Sequence, residues 1–263
     1  MEQAKYKYIY GPVSSWRIGR SLGVDPVSAR EKTCTFDCVY CQAGKTVVFP
    51  KDREVFVPTE ALLSEMKTLP DVEVDYITFA GSGEPTLAKN LGEMMRGIRV
   101  FRKEKIAVIT NASLISRHDV LEDLLLADLI EAKLDASSAN LLKAVNQPMT
   151  EITLFEIVDG LKALRKVYRG HLTLQIMFIA SNKKDAPGIA ALAREIHPDL
   201  IEINTPLRAC SVKPLTRDEV EEIARIFREV CGDNIKVRSV YESKREKSRP
   251  LCQPSTDRRR GKE

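Results

Sequence analysis

The chain has 263 residues and a mass of 29.6 kDa, with 43% hydrophobic and 30% charged residues. That length sits between one domain and two, and the mixture is that of a globular protein with a sizeable core, which excludes a collagen, a disordered tail protein and a disulfide miniprotein. Lys and Arg number 41 against 37 Asp and Glu, a net of +4, but residues 236–263 alone hold +6, so the rest of the chain stands at −2.

The elements follow one another in a regular alternation. An early strand near Ser21–Asp25 leads into a loop rich in cysteine. Apolar, β-rich runs then recur at Asp75–Ala80, Ile106–Thr110, Leu129–Asp135, Leu172–Ala180, Leu200–Thr205 and Ile235–Val240. Between them helical patterns lie at Glu60–Thr68, Leu87–Arg102, Arg117–Leu126, Ile152–Tyr168, Ala186–Ile196 and Arg217–Val230. Thr216 with Glu219 three residues on predicts a capping box, and Gly232 a helix stop. Strands alternating with helices argue for βαβ units and a parallel sheet. At this length they suit one full or partial α/β barrel better than two domains.

No apolar run approaches the roughly 18 residues of a membrane span. The first 20 residues, with Lys5, Lys7 and Trp16, lack the apolar core of a secretory signal. The expectation is a cytoplasmic protein with no membrane partner. Residues 242–263, with Lys244, Arg245, Lys247, Arg249 and Arg258–Arg260, are expected to form a basic, flexible tail beyond a domain spanning 1–241. The same charges are also able to meet phosphates.

In a parallel sheet the chemistry sits where the strands end. Gly81-Ser82-Gly83-Glu84-Pro85 follows one strand, Asn111-Ala112-Ser113 the next, and Lys133-Leu134-Asp135 closes a third. Asn182 and Arg208 lie at later strand ends. Three of six cysteines, Cys34, Cys38 and Cys41, fall within eight residues. Clustered thiols in a reducing compartment point to metal or catalysis rather than to disulfides. No histidine is close in sequence to complete a zinc tetrahedron, since His118, His171 and His197 are remote. Three thiolates can hold three irons of a cubane and leave the fourth iron open. A zinc site closed by Cys210 or Cys252, and a cluster used only to carry electrons, remain as alternatives.

Cys34-x-x-x-Cys38-x-x-Cys41, with Tyr40 before the last cysteine, resembles the signature of the radical S-adenosylmethionine (SAM) superfamily. Gly81–Pro85 looks like its GGE motif with Ser82 in place of a glycine, and Thr110-Asn111-Ala112 like its TNG strand end with Ala112 in place of glycine. The stretch Gly11–Asp25 is similar to a subgroup of iron–sulfur oxidoreductases related to the tRNA wybutosine-synthesis enzyme.

The resemblance implies a partial (βα)6 TIM-type barrel with a short N-terminal extension. It implies a [4Fe–4S] cluster on Cys34, Cys38 and Cys41 and S-adenosylmethionine on the open iron. Tyr40, Gly81, Ser82, Gly83, Glu84, Asn111, Lys133 and Asp135 become the cofactor-binding candidates, with no catalytic residue assigned beyond them. Glu84 is read either as a loop anchor or as a partner of the cofactor's cation, and as a third choice as a carboxylate favoured by a helix N-terminus. Lys133 and Asp135 share a strand face and either meet the cofactor or pair with each other. The implied chemistry is one-electron cleavage of S-adenosylmethionine to a 5′-deoxyadenosyl radical that takes hydrogen from a substrate. A ferredoxin- or flavodoxin-type donor would supply the electron. RNA, a protein and a small metabolite all stay open as substrate. The absence of a cysteine before Cys34 departs from the wybutosine enzymes, and Cys210 with Cys252 as ligands of a second cluster stays open.

Overall fold

In the computed structural model, which describes residues 5–149, 151–243 and 246–259, the order of strands in space follows their order in the chain. One sheet runs β1 (Ile9–Ser15), β2 (Gly19–Val24), β3 (Tyr76–Phe79), β4 (Lys105–Thr110), β5 (Leu129–Lys133), β6 (His171–Met177), β7 (Leu200–Asn204) and β8 (Lys236–Ser239). β1 pairs antiparallel with β2, and every later pairing is parallel. The helices are α1 (Thr59–Lys67), α2 (Leu91–Arg99), α3 (His118–Leu124), α4 (Ala139–Val145), α5 (Leu154–Val167), α6 (Ala186–Ile196), α7 (Arg217–Cys231) and α8 (Gln253–Arg259). Alternate residues of the middle strands, such as Ile106 with Val108 and Leu172 with Leu174 and Ile176, are buried in one core with the inner faces of α2, α5, α6 and α7. The architecture is the partial TIM-type barrel the alternation predicts, with β1 and β8 as its two edges.

Each expected strand and helix is present, with ends moved by a few residues. The capping box at Thr216 and Glu219 is formed, Gly232 sits at φ 66°, and a second box joins Thr153 to Glu156. The helix expected over Leu87–Arg102 is broken. A 3-10 turn spans Pro85–Leu87, the chain extends at Ala88, and α2 starts at Leu91. Buried Arg53 explains the break: its guanidinium takes the Thr86 and Ala88 carbonyls at 2.8 and 2.9 Å, acceptors a continuous helix would use.

Three elements were not expected: β1, α4 and α8. The last lies within the stretch from residue 242 for which a basic tail is expected. Residues 246–259 lie along β1 and end in α8, where Ser255, Thr256 and Arg259 are buried. Leu251 N–H donates to the Gly11 carbonyl at 2.7 Å, and Gly11 N–H to Thr256 Oγ1 at 3.0 Å. An unpaired edge strand has free carbonyls and amides to offer, and this segment takes them. Lys244, Arg245 and Arg260, named for the tail, lie outside the described residues.

Candidate active site

The C-terminal ends of β2–β5 gather the singled-out residues. The loop after β2 holds the cysteines, and it is tied down on both sides. Cys41 N–H donates to the Cys38 carbonyl at 2.9 Å, making the turn that brings those two residues together. Cys34 N–H reaches the Val48 carbonyl at 3.1 Å, and Thr46 bonds Asp37 Oδ1 and the Phe36 carbonyl at 2.7 Å each. Behind the loop, Asp37 N–H meets the Asn146 carbonyl at 3.1 Å and Val39 N–H the Val145 carbonyl at 3.0 Å, so the end of α4 is its platform.

Two asparagine amides point at sulfur. Asn146 Nδ2 lies 3.4 Å from Cys38 Sγ and Asn111 Nδ2 lies 3.7 Å from Cys34 Sγ. Burial, then the Glu84 carboxylate, pushes the Cys34 thiol up to about 12; burial, then Asp135, pushes Cys38 up to about 11. Such thiols stay protonated until a metal displaces the proton. All three cysteines are unpaired by disulfides and only partly buried.

Glu84 is 3% exposed, and protein donors occupy it. Oε1 accepts from Thr86 N–H (3.1 Å), Thr86 Oγ1 (2.7 Å) and Thr110 Oγ1 (2.6 Å), and Oε2 from Asn111 N–H (2.7 Å). These bonds fasten the loop to the end of β4, and the bond from Thr86 N–H also caps the 3-10 turn Pro85–Leu87. Burial raises its pKa against those donors. Gly83 packs so closely that a Cβ there would stand 1.8 Å from the Thr33 carbonyl oxygen, and one on Gly81 2.2 Å from Asp25 Cγ. Only glycine lets this loop approach the cysteine loop. Asn111 joins the two, donating to Thr35 Oγ1 at 2.8 Å. Ala112, where the resembled motif has glycine, adopts φ 62°.

Tyr40, Lys133 and Asp135 form one cluster. Buried Asp135 accepts from the Tyr40 hydroxyl, from Asn146 Nδ2 at 2.8 Å and from Met177 N–H at 2.7 Å. Lys133 Nζ lies 3.3 Å from Asp135 Oδ1, bonds Gln175, and sits 5.0 Å from the Tyr40 ring centroid. Lys133 and Asp135 thus pair with each other, and burial and Asp135 hold the Tyr40 hydroxyl well above its ordinary pKa. Asn182 turns inward to the Asp135 and Met177 carbonyls, at 2.9 Å each. Arg208 lines the barrel mouth.

A cavity of about 290 Å³ opens inside the barrel below this cluster, between Tyr10, Arg17, Gln42, Gly81, Gln175 and Asn204. Gln42 follows Cys41 and Gly81 begins the glycine loop, so the cavity connects both loops to the interior. Asn146, Thr35, Gln175 and Asp25 bond the candidate residues and were not singled out in the sequence. Asn146 and Asp25 are buried, and their bonds exist only once separate elements have met.

The donor set fits an iron–sulfur cluster. Thiolates are the soft ligands a cluster takes, one per iron, and three are held on one loop. Among the described residues no three His, Cys, Asp or Glu side chains are placed around a single ion. Cys210 bonds the Val212 carbonyl in its own loop, and Cys252 meets Ser255 beside β1.

Residues 32–193 match the Radical SAM superfamily, and the chain belongs to it. Its cofactors are therefore a [4Fe–4S] cluster and S-adenosylmethionine, and it is a radical SAM enzyme. Within the superfamily it is 41% identical to a UPF0026 protein of Synechocystis sp., over 80% of this chain and 78% of that one. It is 35% identical to a UPF0026 protein of Methanocaldococcus jannaschii, over 89% and 75%. Streptococcus suis SuiB, solved bound to S-adenosylmethionine, shares the fold with a TM-score of 0.61 at 14% identity, over 84% of this chain and 47% of that chain. No helix among the described residues is long and apolar enough to cross a membrane.

Proposed function

We propose that Cys34, Cys38 and Cys41 each bind one iron of the cluster and leave the fourth to the amino and carboxylate groups of S-adenosylmethionine. Such a cluster, once reduced by one electron, would supply that electron for reductive cleavage of the sulfonium, and the cavity between Gln42, Gly81 and Gln175 would hold the substrate that gives up hydrogen. The observation that carries this reading is the glycine loop Gly81–Gly83, packed against Asp25 and Thr33 and anchored through Glu84 and Asn111 to the cysteine loop. Such a loop offers backbone groups to a ligand on the open iron. The Tyr40–Asp135–Lys133 cluster ties the cysteine turn to the chain at the end of β5.

The electron donor is a ferredoxin- or flavodoxin-type protein, and RNA, a protein and a small metabolite all fit this reading as substrate. The test is anaerobic. Protein reconstituted with iron and sulfide, reduced and given S-adenosylmethionine should release 5′-deoxyadenosine, and Cys38→Ala should lower the yield by about 100-fold or more, since a missing ligand removes the cluster rather than weakening a contact. Full iron loading without cofactor binding or cleavage would leave an electron carrier instead.

A further inference from the structure

The C-terminal helix reaches the cofactor loop through one buried arginine. Arg259, on α8, has its side chain 1% exposed, and its guanidinium is fully engaged. It donates to the Ser255 carbonyl (3.2 Å), to Ser28 Oγ (3.0 Å) and to the Lys7 carbonyl, and its Nε lies 3.4 Å from Asp25 Oδ2. That same Asp25 oxygen accepts from Ser82 N–H at 3.2 Å and Ser82 Oγ at 2.8 Å. The carboxylate is thus clamped between the last helix and the glycine loop, with Gly81 closed against its other face.

A second strut runs beside the first. The Arg259 guanidinium stands 5.9 Å from the Tyr10 ring centroid, and the Tyr10 hydroxyl donates to the Ala80 carbonyl at 3.2 Å, one residue before the loop. Both struts end on residues 80–82. A buried carboxylate is held by hydrogen bonds and, more firmly, by a fixed counter-charge. Arg259 supplies it from a segment the barrel itself does not contain.

We propose that Arg259 is a positioning residue for S-adenosylmethionine: it holds Asp25 from behind, and Asp25 holds the Gly81–Ser82 backbone in the conformation that receives the cofactor. This rests on the reading of that loop as cofactor-binding. The docked C-terminal segment is then a condition for cofactor affinity, while turnover of bound cofactor is set elsewhere.

The test uses the full chain with Arg259→Gln, and with Arg259→Lys, which keeps the charge but loses most of the fork, in case the first does not fold. Hydrogen exchange is followed before any cluster is installed. Both variants should speed exchange of residues 80–85 by about tenfold, the loss of roughly one charged hydrogen bond, and leave β5 and β6 unchanged. After reconstitution, equilibrium dialysis should show S-adenosylmethionine bound about tenfold more weakly, with KM raised and kcat within twofold of the parent. Ser82→Ala should weaken binding less, and adding it to Arg259→Gln should cost little more, because both cut the same path.

Faster exchange confined to residues 5–12 and 246–259, with cofactor affinity unchanged, would overturn the proposal and leave Arg259 a brace for the N-terminal strand. If the parent protein itself retains no S-adenosylmethionine, the reading of the loop fails, and the exchange of residues 80–85 still decides whether Arg259 holds it.

Discussion

Glu84 shows why single atoms matter at this rim. Its two oxygens accept four donors, and the Oε2 bond to Asn111 N–H has no substitute nearby. In Glu84→Gln one oxygen can still face Thr86 and Thr110, but an NH2 group then faces the Asn111 N–H. Two buried donors in contact cost about 2–3 kcal/mol, the desolvation of unmade bonds. Urea unfolding at pH 7 should show a loss of that size. Because Asn111 also bonds Thr35 next to Cys34, reconstituted Glu84→Gln should bind fewer irons per chain than the parent. Unchanged stability would mean the carboxylate is not the anchor its bonds describe. In the sequence Glu84 stood out by motif, and its position in the fold now gives the reason: it fastens the end of β4 to the loop after β3.

At the scale of elements, what the sequence made legible and what it hid divide by how each piece is buried. β4, β6 and β7 are apolar runs covered on both faces, and β-branched residues with turn signals announce them. The amphipathic α5 and α7 announce themselves by period and caps. β1 contains Gly11, Pro12, Ser14 and Ser15, a composition that reads as a loop, and it is a strand because β2 and residues 246–259 take its hydrogen bonds. α8 is buried through two hydroxyls and an arginine, and so leaves no apolar pattern to find. The seven-residue α4 is too short for periodicity to show, yet it carries the platform of the cysteine turn. The three cysteines were legible by spacing, whereas Asn146 was not, because its role exists only once α4 has placed it beside them. Its amide lies 3.4 Å from Cys38 Sγ, 3.1 Å from the Tyr40 hydroxyl and 2.8 Å from Asp135 Oδ2. Asn146→Ala should therefore cost about 1–3 kcal/mol by leaving Asp135 under-bonded. It should also release cluster iron to a chelator about tenfold faster, as loss of groups that orient metal ligands commonly does. Iron release at the parent rate would show that the platform acts without this side chain.

For the molecule as a whole, the physical problem is a barrel that the sheet does not close. Residues 246–259 cover the β1 edge near the site, and charges join the two edges at the opposite end. Arg17, in the turn after β1, pairs with Glu131 on β5; Arg238 on β8 pairs with Glu202 on β7, donates to the Arg17 carbonyl and stacks 5.7 Å from the Trp16 ring. Both glutamates are 1% exposed, and the Oε2 of each has no partner among the described residues. Burial, then the neighbouring Glu131 charge, pushes Glu202 up to about 7 despite Arg17 and Arg238. An unfolded glutamate titrates near 4.3. The folded state therefore binds this proton more tightly, so the group's favourable contribution is complete below about pH 4 and is lost as pH rises through about 7. Glu202→Gln is neutral at every pH and keeps the shape. The stability of the parent relative to this variant should fall, on the order of a few kcal/mol, between pH 4.5 and 7.5, because the unfolded chain releases the proton while the folded state still holds it. Urea midpoints of both proteins at several pH values across that window measure it. A difference that stays flat with pH would mean that Glu202 is ionised throughout, with Arg17 and Arg238 outweighing burial at the floor of the barrel.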